Sequence, residues 1–277
     1  MVVNNHRLRR GMYILPSLFT VGTLICGYYA ILNTLQGAQL MAAGAAGALP
    51  STAFDNAAIA IGWAIVFDGL DGRIARLTNS TSNFGREFDS LADVITFGLA
   101  PGLLAYSWGI RPAIDASQFP LTTHLRPAGW IITFAYLICG AARLARFNIE
   151  SVKPGSDRRF FVGLPIPAAA GVIAAVVHWQ KAPLTYWPIA LGWLAVTLGL
   201  AFLMVSRVRY YSFKALDLRR RRSYVNIIFI GIVILAIFFY SEPVLLILAS
   251  TYLLSGLIHE IPSKSRPGPP ASDEVKA

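Results

Sequence analysis

Four aspartates at two short spacings are the residues of this sequence best suited to chemistry. Asp68 and Asp71 are three positions apart, and Asp89 and Asp93 are four positions apart. If both segments are helical, each pair projects from one face of its helix, and the two pairs could meet. Four carboxylates at the edge of a bilayer repel one another and are costly to desolvate, so they need a strong positive partner or must take up protons.

A divalent cation is the natural partner of such a cluster. Hard oxygen ligands with no His or Cys nearby favour Mg²⁺, Mn²⁺ or Ca²⁺ over zinc. Four carboxylates suffice to hold two ions as a clamp on a phosphoryl group. Gly69, Gly72 and Gly85 would let a phosphate or nucleotide approach the backbone closely, and Arg73 and Arg76 add positive charge one turn away. These residues indicate a metal-dependent site that handles phosphate, without naming the reaction.

A simpler interpretation is that the acids are solvated in a loop between two spans and pair with Arg73, Arg76 and Arg86. Two observations favour a functional site instead. Ionisable residues in or next to membrane spans are functional candidates by default, and the short acidic spacing recurs on two flanking segments.

The elements that must position these residues are membrane helices. The chain has 277 residues, of which 55% are hydrophobic and 14% charged, which is unlike a water-soluble domain. Stretches long enough to span a bilayer recur along the chain. We predict one all-α membrane domain over residues 1–262, a polytopic helical bundle, and a disordered tail over 263–277. Hydropathy marks eight predicted spans, at 13–35, 53–72, 86–109, 128–147, 162–180, 184–206, 223–241 and 243–260.

The positive charges predict the orientation of these spans. With eight spans, 21 of the 24 Lys and Arg residues fall on one side, and Arg111, Arg126 and Lys181 fall on the other. Positively charged loops stay cytoplasmic, so we expect both termini and the acidic cluster at the cytoplasmic side. The net charge of +10 lies mainly at span ends, which favours anionic membrane lipids rather than nucleic acid as the partner.

The acidic cluster also carries a resemblance. Asp68-x-x-Asp71-Gly72-x-x-Ala75-Arg76, eight further residues, and Gly85-x-x-x-Asp89-x-x-x-Asp93 match without a gap the signature of the CDP-alcohol phosphatidyltransferases. Members of that family are integral membrane enzymes in which an incoming hydroxyl displaces CMP from a CDP-linked lipid or alcohol. The resemblance implies a six-helix core, here followed by two C-terminal spans, and a homodimer.

The resemblance also implies roles for individual residues. Asp68, Asp71, Asp89 and Asp93 would hold two divalent ions, Mg²⁺ or Mn²⁺, on the diphosphate. Asp89 and Asp93 would be catalytic, and Asp93 is the best candidate for the base that deprotonates the acceptor. The residues that would line the CDP site are Gly72, Ala75, Arg76 and Gly85.

Segments outside the signature resemble the membrane-bound phosphatidylserine synthases of bacteria. They include "GAARLARFNIE", "FVGLPIPAAAG" and "LMVSRVRYYSFK". The substrates implied are CDP-diacylglycerol and L-serine. Arg143 or Arg146 could grip the serine carboxylate with two parallel hydrogen bonds, with Asn148 nearby, whereas arginines at a span end are most often anchors at the membrane interface. One departure is Ser17, where relatives usually carry Asn.

Two other functions stay open at this point. The same metal site could serve another acceptor, such as glycerol phosphate or inositol phosphate, which would need a basic pocket for the extra phosphate. A transporter would also use carboxylates within the membrane. A transporter, however, predicts broken helices in repeated halves, and this sequence shows no internal repeat.

Overall fold

The protein is mainly helical, as predicted. The computed structural model describes residues 5–45, 48–77, 83–116, 122–151, 160–211 and 223–260. The helices are α1 (Asn5–Ala42), α2 (Ala48–Leu77), α3 (Asn83–Asp93), α4 (Ala100–Gly109), α5 (Arg111–Asp115), α6 (Thr122–Ser151), α7 (Ile166–Gln180), α8 (Trp187–Val205), α9 (Ser223–Phe239) and α10 (Ser241–Glu260). The predicted tail, 263–277, lies outside the described residues.

Each of the eight predicted spans overlaps a helix. Five helical stretches are long and apolar enough to cross a bilayer, so the architecture is that of a polytopic membrane protein. These stretches are Leu18–Ala42, Ala48–Ile74, Phe84–Asp115, His124–Ile149 and Trp187–Val205. Ile166–Gln180 and Ser241–Gly256 are shorter apolar helices.

A short antiparallel ribbon departs from the all-helical expectation. Strand β1 (Phe160–Val162) pairs with strand β2 (Arg209–Tyr211). The predicted span starting at residue 162 therefore begins as strand, and helix α7 starts only at Ile166. Gly163 has a φ of 83°, and a Cβ there would overlap the carbonyl oxygen of Met204. Only glycine fits this turn, and the chain cannot become helical before it.

Helices α1 and α2 form an antiparallel hairpin. The end of α1 is a Schellman motif, in which the Ala45 N–H donates to the Leu40 carbonyl and the Gly44 N–H donates to the Met41 carbonyl. Gly44 supplies the positive φ of 76° that this motif requires. The hairpin packs closely, because a Cβ at Gly37 would lie 2.9 Å from the ring of Phe54.

A π-helical turn, Val94–Leu99, joins α3 to α4. Pro101, two residues after the turn, explains the break in the α-helical pattern, because proline has no N–H to donate to the Phe97 carbonyl. That carbonyl instead accepts a hydrogen bond of 3.1 Å from the hydroxyl of Tyr136 on α6. The irregular turn is thereby fixed against a neighbouring helix, directly after Asp93.

A polar network lies at the other end of α2, about 20 Å along the helix from the acidic cluster at 1.5 Å per residue. His178 on α7 bonds through Nδ1 to Asp55 on α2 and through Nε2 to the Ser241 hydroxyl on α10, the latter at 2.9 Å. Beside it, Lys181 Nζ lies 2.6 Å from the carboxylate of Glu242. These contacts join the start of α10 to α2 and α7.

Candidate active site

The C-terminal part of α2 and the helix α3 carry the four aspartates. Both segments are helical, so the spacings of three and four place each pair on one helix face, as the sequence predicts. Carboxylate oxygens of Asp68, Asp89 and Asp93 all lie within 4.8 Å of one another. Two successive helices, α2 and α3, thus bring three acids to one point.

The chemistry of this group fits a divalent cation. Its three donors are all carboxylate oxygens, the ligand type that Mg²⁺ and Mn²⁺ prefer. Asp93 is buried, and the other acids of the cluster repel it electrostatically while Arg143 attracts it. Oδ1 of Asp93 has no hydrogen-bond partner within the described part of the chain. A bound cation would both relieve the repulsion and satisfy this oxygen.

Asp71, the fourth predicted ligand, lies one turn after Asp68 on α2 but is not among these three close carboxylates, and it has a hydrogen-bond donor of its own. The hydroxyl of Thr20 on α1 donates to Oδ2 of Asp71, and both side chains are buried. Oδ1 of Asp71, like that of Asp93, lacks a hydrogen-bond partner among the residues described. Thr20 therefore orients the carboxylate so that one oxygen is held by protein and the other is available for a cation. Thr20 belongs to no motif that would mark it in the sequence.

Helix α1 also contacts the π-helical turn that follows Asp93. The Thr96 hydroxyl donates to the Thr23 carbonyl at 3.2 Å. Gly27 lies directly against Thr96, since a Cβ on Gly27 would overlap the threonine side chain and lie 2.9 Å from its Cα. Helix α1 therefore holds the site at two points, one at Asp71 and one at the turn after Asp93. Single π turns inside α-helices are frequent at functional sites.

The residues predicted to line a CDP site are described only in part. A Cβ added to Gly72 meets nothing within 4 Å, so the backbone there is open to approach by a ligand. Gly85 is half-buried on α3. Ala75 and Arg76 lie within α2, but their side chains are outside the described residues.

The two arginines predicted for the acceptor differ in their surroundings. Arg143 is buried on α6, lies 5.4 Å from the ring centre of Phe147, and interacts electrostatically with Asp93 and Asp68. Arg146 instead donates to two backbone carbonyls, those of Val162 at 2.9 Å and Val205 at 3.3 Å. The charge of Arg143 thus acts on the acids, while Arg146 ties β1 to the end of α8.

Asn148 makes a contact with the helix that carries Asp89. Its side-chain amide donates to the Ser90 hydroxyl at 2.8 Å, and that hydroxyl donates to the Arg86 carbonyl. The bond joins α6 to α3 one residue from Asp89. Asn148 is therefore well placed to position the site.

Comparison with known proteins gives a consistent match. The family model described as CDP-alcohol phosphatidyltransferase matches residues 13–205. A relative from Helicobacter pylori, named CDP-diacylglycerol–serine O-phosphatidyltransferase, is 34% identical over 248 residues, which are 89% of this chain and 91% of the relative. A relative of the same name from Bacillus subtilis is 34% identical over 203 residues, which are 73% of this chain and 93% of the relative.

Proposed function

This chain belongs to the CDP-alcohol phosphatidyltransferase family, and we propose that it transfers the phosphatidyl group of CDP-diacylglycerol to the hydroxyl of L-serine. The products would be phosphatidylserine and CMP. The observation that carries the proposal is the convergence of Asp68, Asp89 and Asp93 from two helices, with their oxygens within 4.8 Å. The choice of donor and acceptor is supported by the names of relatives that share about a third of their residues with this chain.

Two divalent ions, Mg²⁺ or Mn²⁺, would be held by Asp68, Asp71, Asp89 and Asp93. When bound, such ions neutralise the charge of a diphosphate and stabilise CMP as the leaving group. The open backbone at Gly72 is consistent with a nucleotide lying there. Ala75, Arg76 and Gly85 complete the proposed CDP site by the family motif.

Asp93 is the proposed general base. The serine hydroxyl oxygen would attack the phosphorus that bears the diacylglycerol, the bond from that phosphorus to CMP would break, and the hydroxyl proton would pass to Asp93. A base must lie within hydrogen-bond reach of the proton it takes. Asp93 is buried within the acidic cluster, so one of its carboxylate oxygens would hold a cation while the other takes the proton.

Arg143 is the better of the two candidates for the serine carboxylate. Its guanidinium is buried and interacts with Asp93, so a carboxylate bound there would lie near the proposed base. Arg146 already donates to two carbonyls. We assign Arg146 and Asn148 to positioning the acceptor pocket rather than to direct contact with serine.

The proposed enzyme lies in the membrane with its acidic site at the cytoplasmic side. The bias of 21 of 24 Lys and Arg residues to one side of the predicted spans supports this orientation, with both termini cytoplasmic. Eight crossings and assembly as a homodimer remain predictions from hydropathy and from the family.

A reconstituted assay tests the whole proposal. Purified protein in detergent is given CDP-diacylglycerol with Mn²⁺ or Mg²⁺, with and without L-serine, and both CMP release and lipid products are followed. Serine-dependent CMP release with formation of phosphatidylserine is the expected result. Release only with glycerol 3-phosphate or inositol phosphate would preserve the metal site and refute the acceptor, and no release with any acceptor would refute the transferase function.

A further inference from the structure

The π-helical turn Val94–Leu99 joins two parts of the chain that have different surroundings. Asp93 lies directly before the turn and belongs to the candidate metal site, whereas Leu104 on α4 is fully buried in the apolar core. Leu104 follows Asp93 by eleven positions, which is roughly three whole turns of a regular α-helix. An unbroken helix would therefore place the carboxylate on the same face as an apolar core residue.

The π-helical turn changes this angular relation. The Ala100 N–H donates to the Ile95 carbonyl, which lies five residues back along the chain instead of the four of an α-helix. The turn thus takes up one extra residue, and one residue corresponds to a rotation of about 100° around a helix. Asp93 is rotated away from the face of Leu104 by about this angle. The carboxylate can then face the other acids while α4 keeps its apolar side chains in the core.

Tyr136 on α6 holds the turn from outside. Its hydroxyl donates to the Phe97 carbonyl at 3.1 Å, and both residues are fully buried, so water cannot readily replace the tyrosine. Pro101 cannot supply the α-helical donor to that carbonyl. The turn also packs closely on α6, because a Cβ at Gly98 would lie 2.8 Å from the side chain of Leu137. Tyr136 is therefore the side chain that stabilises this hydrogen-bonding pattern directly after Asp93.

We propose that Tyr136 is a positioning residue for Asp93 and sets the metal affinity of the site through the π-helical turn. This inference rests on the proposed function, because it concerns the metal site that the transfer reaction would use. Tyr136 acts through the backbone and needs no contact with the cation or with a substrate. Without its hydroxyl, the turn loses a stabilising contact, and fewer molecules hold Asp93 in the orientation that binds a cation.

The substitution Tyr136→Phe tests this role because it removes the hydroxyl and keeps the buried ring. Thr197→Val is the matched control: Thr197 is also fully buried and its hydroxyl donates to a backbone carbonyl, that of Trp193, but it lies on α8, which carries none of the four aspartates. For each variant, Mn²⁺ is titrated in detergent, and the response is followed by the metal-dependent shift in thermal unfolding and by CMP release.

We expect Tyr136→Phe to raise the Mn²⁺ concentration for half-maximal response about 10-fold or more, as for other groups that orient a metal ligand. Thr197→Val should match the wild type. An unchanged Mn²⁺ requirement in Tyr136→Phe, or an equal rise in the two variants, would overturn the inference.

A double variant separates positioning of Asp93 from general stabilisation of the fold. In Tyr136→Phe combined with Pro101→Ala, residue 101 regains an N–H that can donate to the Phe97 carbonyl in the regular α-helical pattern. We expect thermal unfolding without metal to return towards that of the wild type, while the Mn²⁺ requirement stays raised because a regular helix rotates Asp93 back towards the face of Leu104. Recovery of the Mn²⁺ requirement together with stability would overturn the inference, as would failure of both variants to fold, since Tyr136 would then support the fold as a whole.

The wild-type protein separates this inference from the proposed function. If Mn²⁺ shifts its thermal unfolding but no acceptor yields CMP, the transferase function is refuted, and the thermal titrations of the variants still decide the role of Tyr136. If Mn²⁺ changes neither thermal unfolding nor CMP release, the metal site is refuted and the inference falls with it.

Discussion

The hydrogen bond from Thr20 to Asp71 allows a direct test of whether α1 orients a carboxylate of the acidic site. The substitution Thr20→Val replaces a hydroxyl with a methyl group of nearly the same size. Thr20 is only 3% exposed and Asp71 only 6%, so water cannot readily replace the lost donor. The carboxylate of Asp71 would keep its place on α2 but lose the contact that fixes its orientation.

The size of the effect follows from the strength of that contact. A hydrogen bond to a charged group contributes about 1.5–3 kcal/mol, and this free energy favours the observed orientation of the carboxylate over the alternatives. Without it, the fraction of molecules with Asp71 correctly oriented falls, and the apparent metal affinity falls with that fraction. We expect the loss in affinity to be about 10- to 100-fold, the usual range for groups that orient a metal ligand.

The assay is a titration of Mn²⁺ or Mg²⁺, followed by transferase activity and independently by the metal-dependent shift in thermal unfolding. Thr23→Val is the control, because Thr23 lies one turn away on α1, is 1% exposed, and donates from its hydroxyl to the Phe19 carbonyl of its own helix. Thr20→Val should need much more metal for half-maximal response, and Thr23→Val should behave as wild type. Equal metal requirements in the two variants would refute the role assigned to Thr20.

Three further predictions concern the acids, the packing of α1 and the far end of the bundle. Asp89→Asn should abolish CMP release while leaving thermal unfolding without metal near that of the wild type; retained activity would remove this carboxylate from the mechanism. Gly27→Ala should lower the free energy of unfolding by about 1–3 kcal/mol through overpacking, whereas Gly62→Ala, which meets nothing within 4 Å, should not; equal effects on thermal unfolding would contradict the packing argument. The hydrogen bond with Glu242 raises the pKa of Lys181 above its ordinary value, so this pair should stabilise the fold at neutral pH and lose that contribution as the pH rises through the raised pKa. The contribution should be below about 1 kcal/mol because both side chains are partly exposed. Thermal unfolding of Lys181→Met should therefore show a smaller loss of stability at alkaline pH than that of the wild type. An equal loss in the two proteins would show that the pair contributes nothing.

The parts of the site that depend on helix geometry could be predicted from the sequence. Spacings of three and four residues place the members of each aspartate pair on one face of any α-helix, so the grouping within α2 and within α3 needed only the assignment of helices. The eight predicted spans likewise overlap helices because long apolar runs have few alternatives in a bilayer. Their ends were harder to place, as at residue 162, where Gly163 and Pro165 delay the start of α7.

The side-chain contacts between helices, in the site and at the other end of the bundle, could not be predicted, because they join distant parts of the chain. Thr20 and Asp71 are 51 positions apart, and His178 and Asp55 are 123 positions apart. Neither threonine nor histidine at these positions belongs to a motif, and one sequence gives no measure of which helices touch.

The surroundings of the charged side chains distinguish the candidate metal cluster from the other charged groups of the protein. Asp55 contacts His178, Arg146 contacts backbone carbonyls, and Lys181 contacts Glu242, so each of these charges has a complementary group. Asp68, Asp89 and Asp93 differ in that their carboxylate oxygens also lie within 4.8 Å of one another. In a low-dielectric setting such an arrangement is unfavourable by itself and becomes favourable once a cation binds. Helices α1 and α6 contact the segments that carry the acids and hold the cluster together despite this penalty, which a bound cation would relieve.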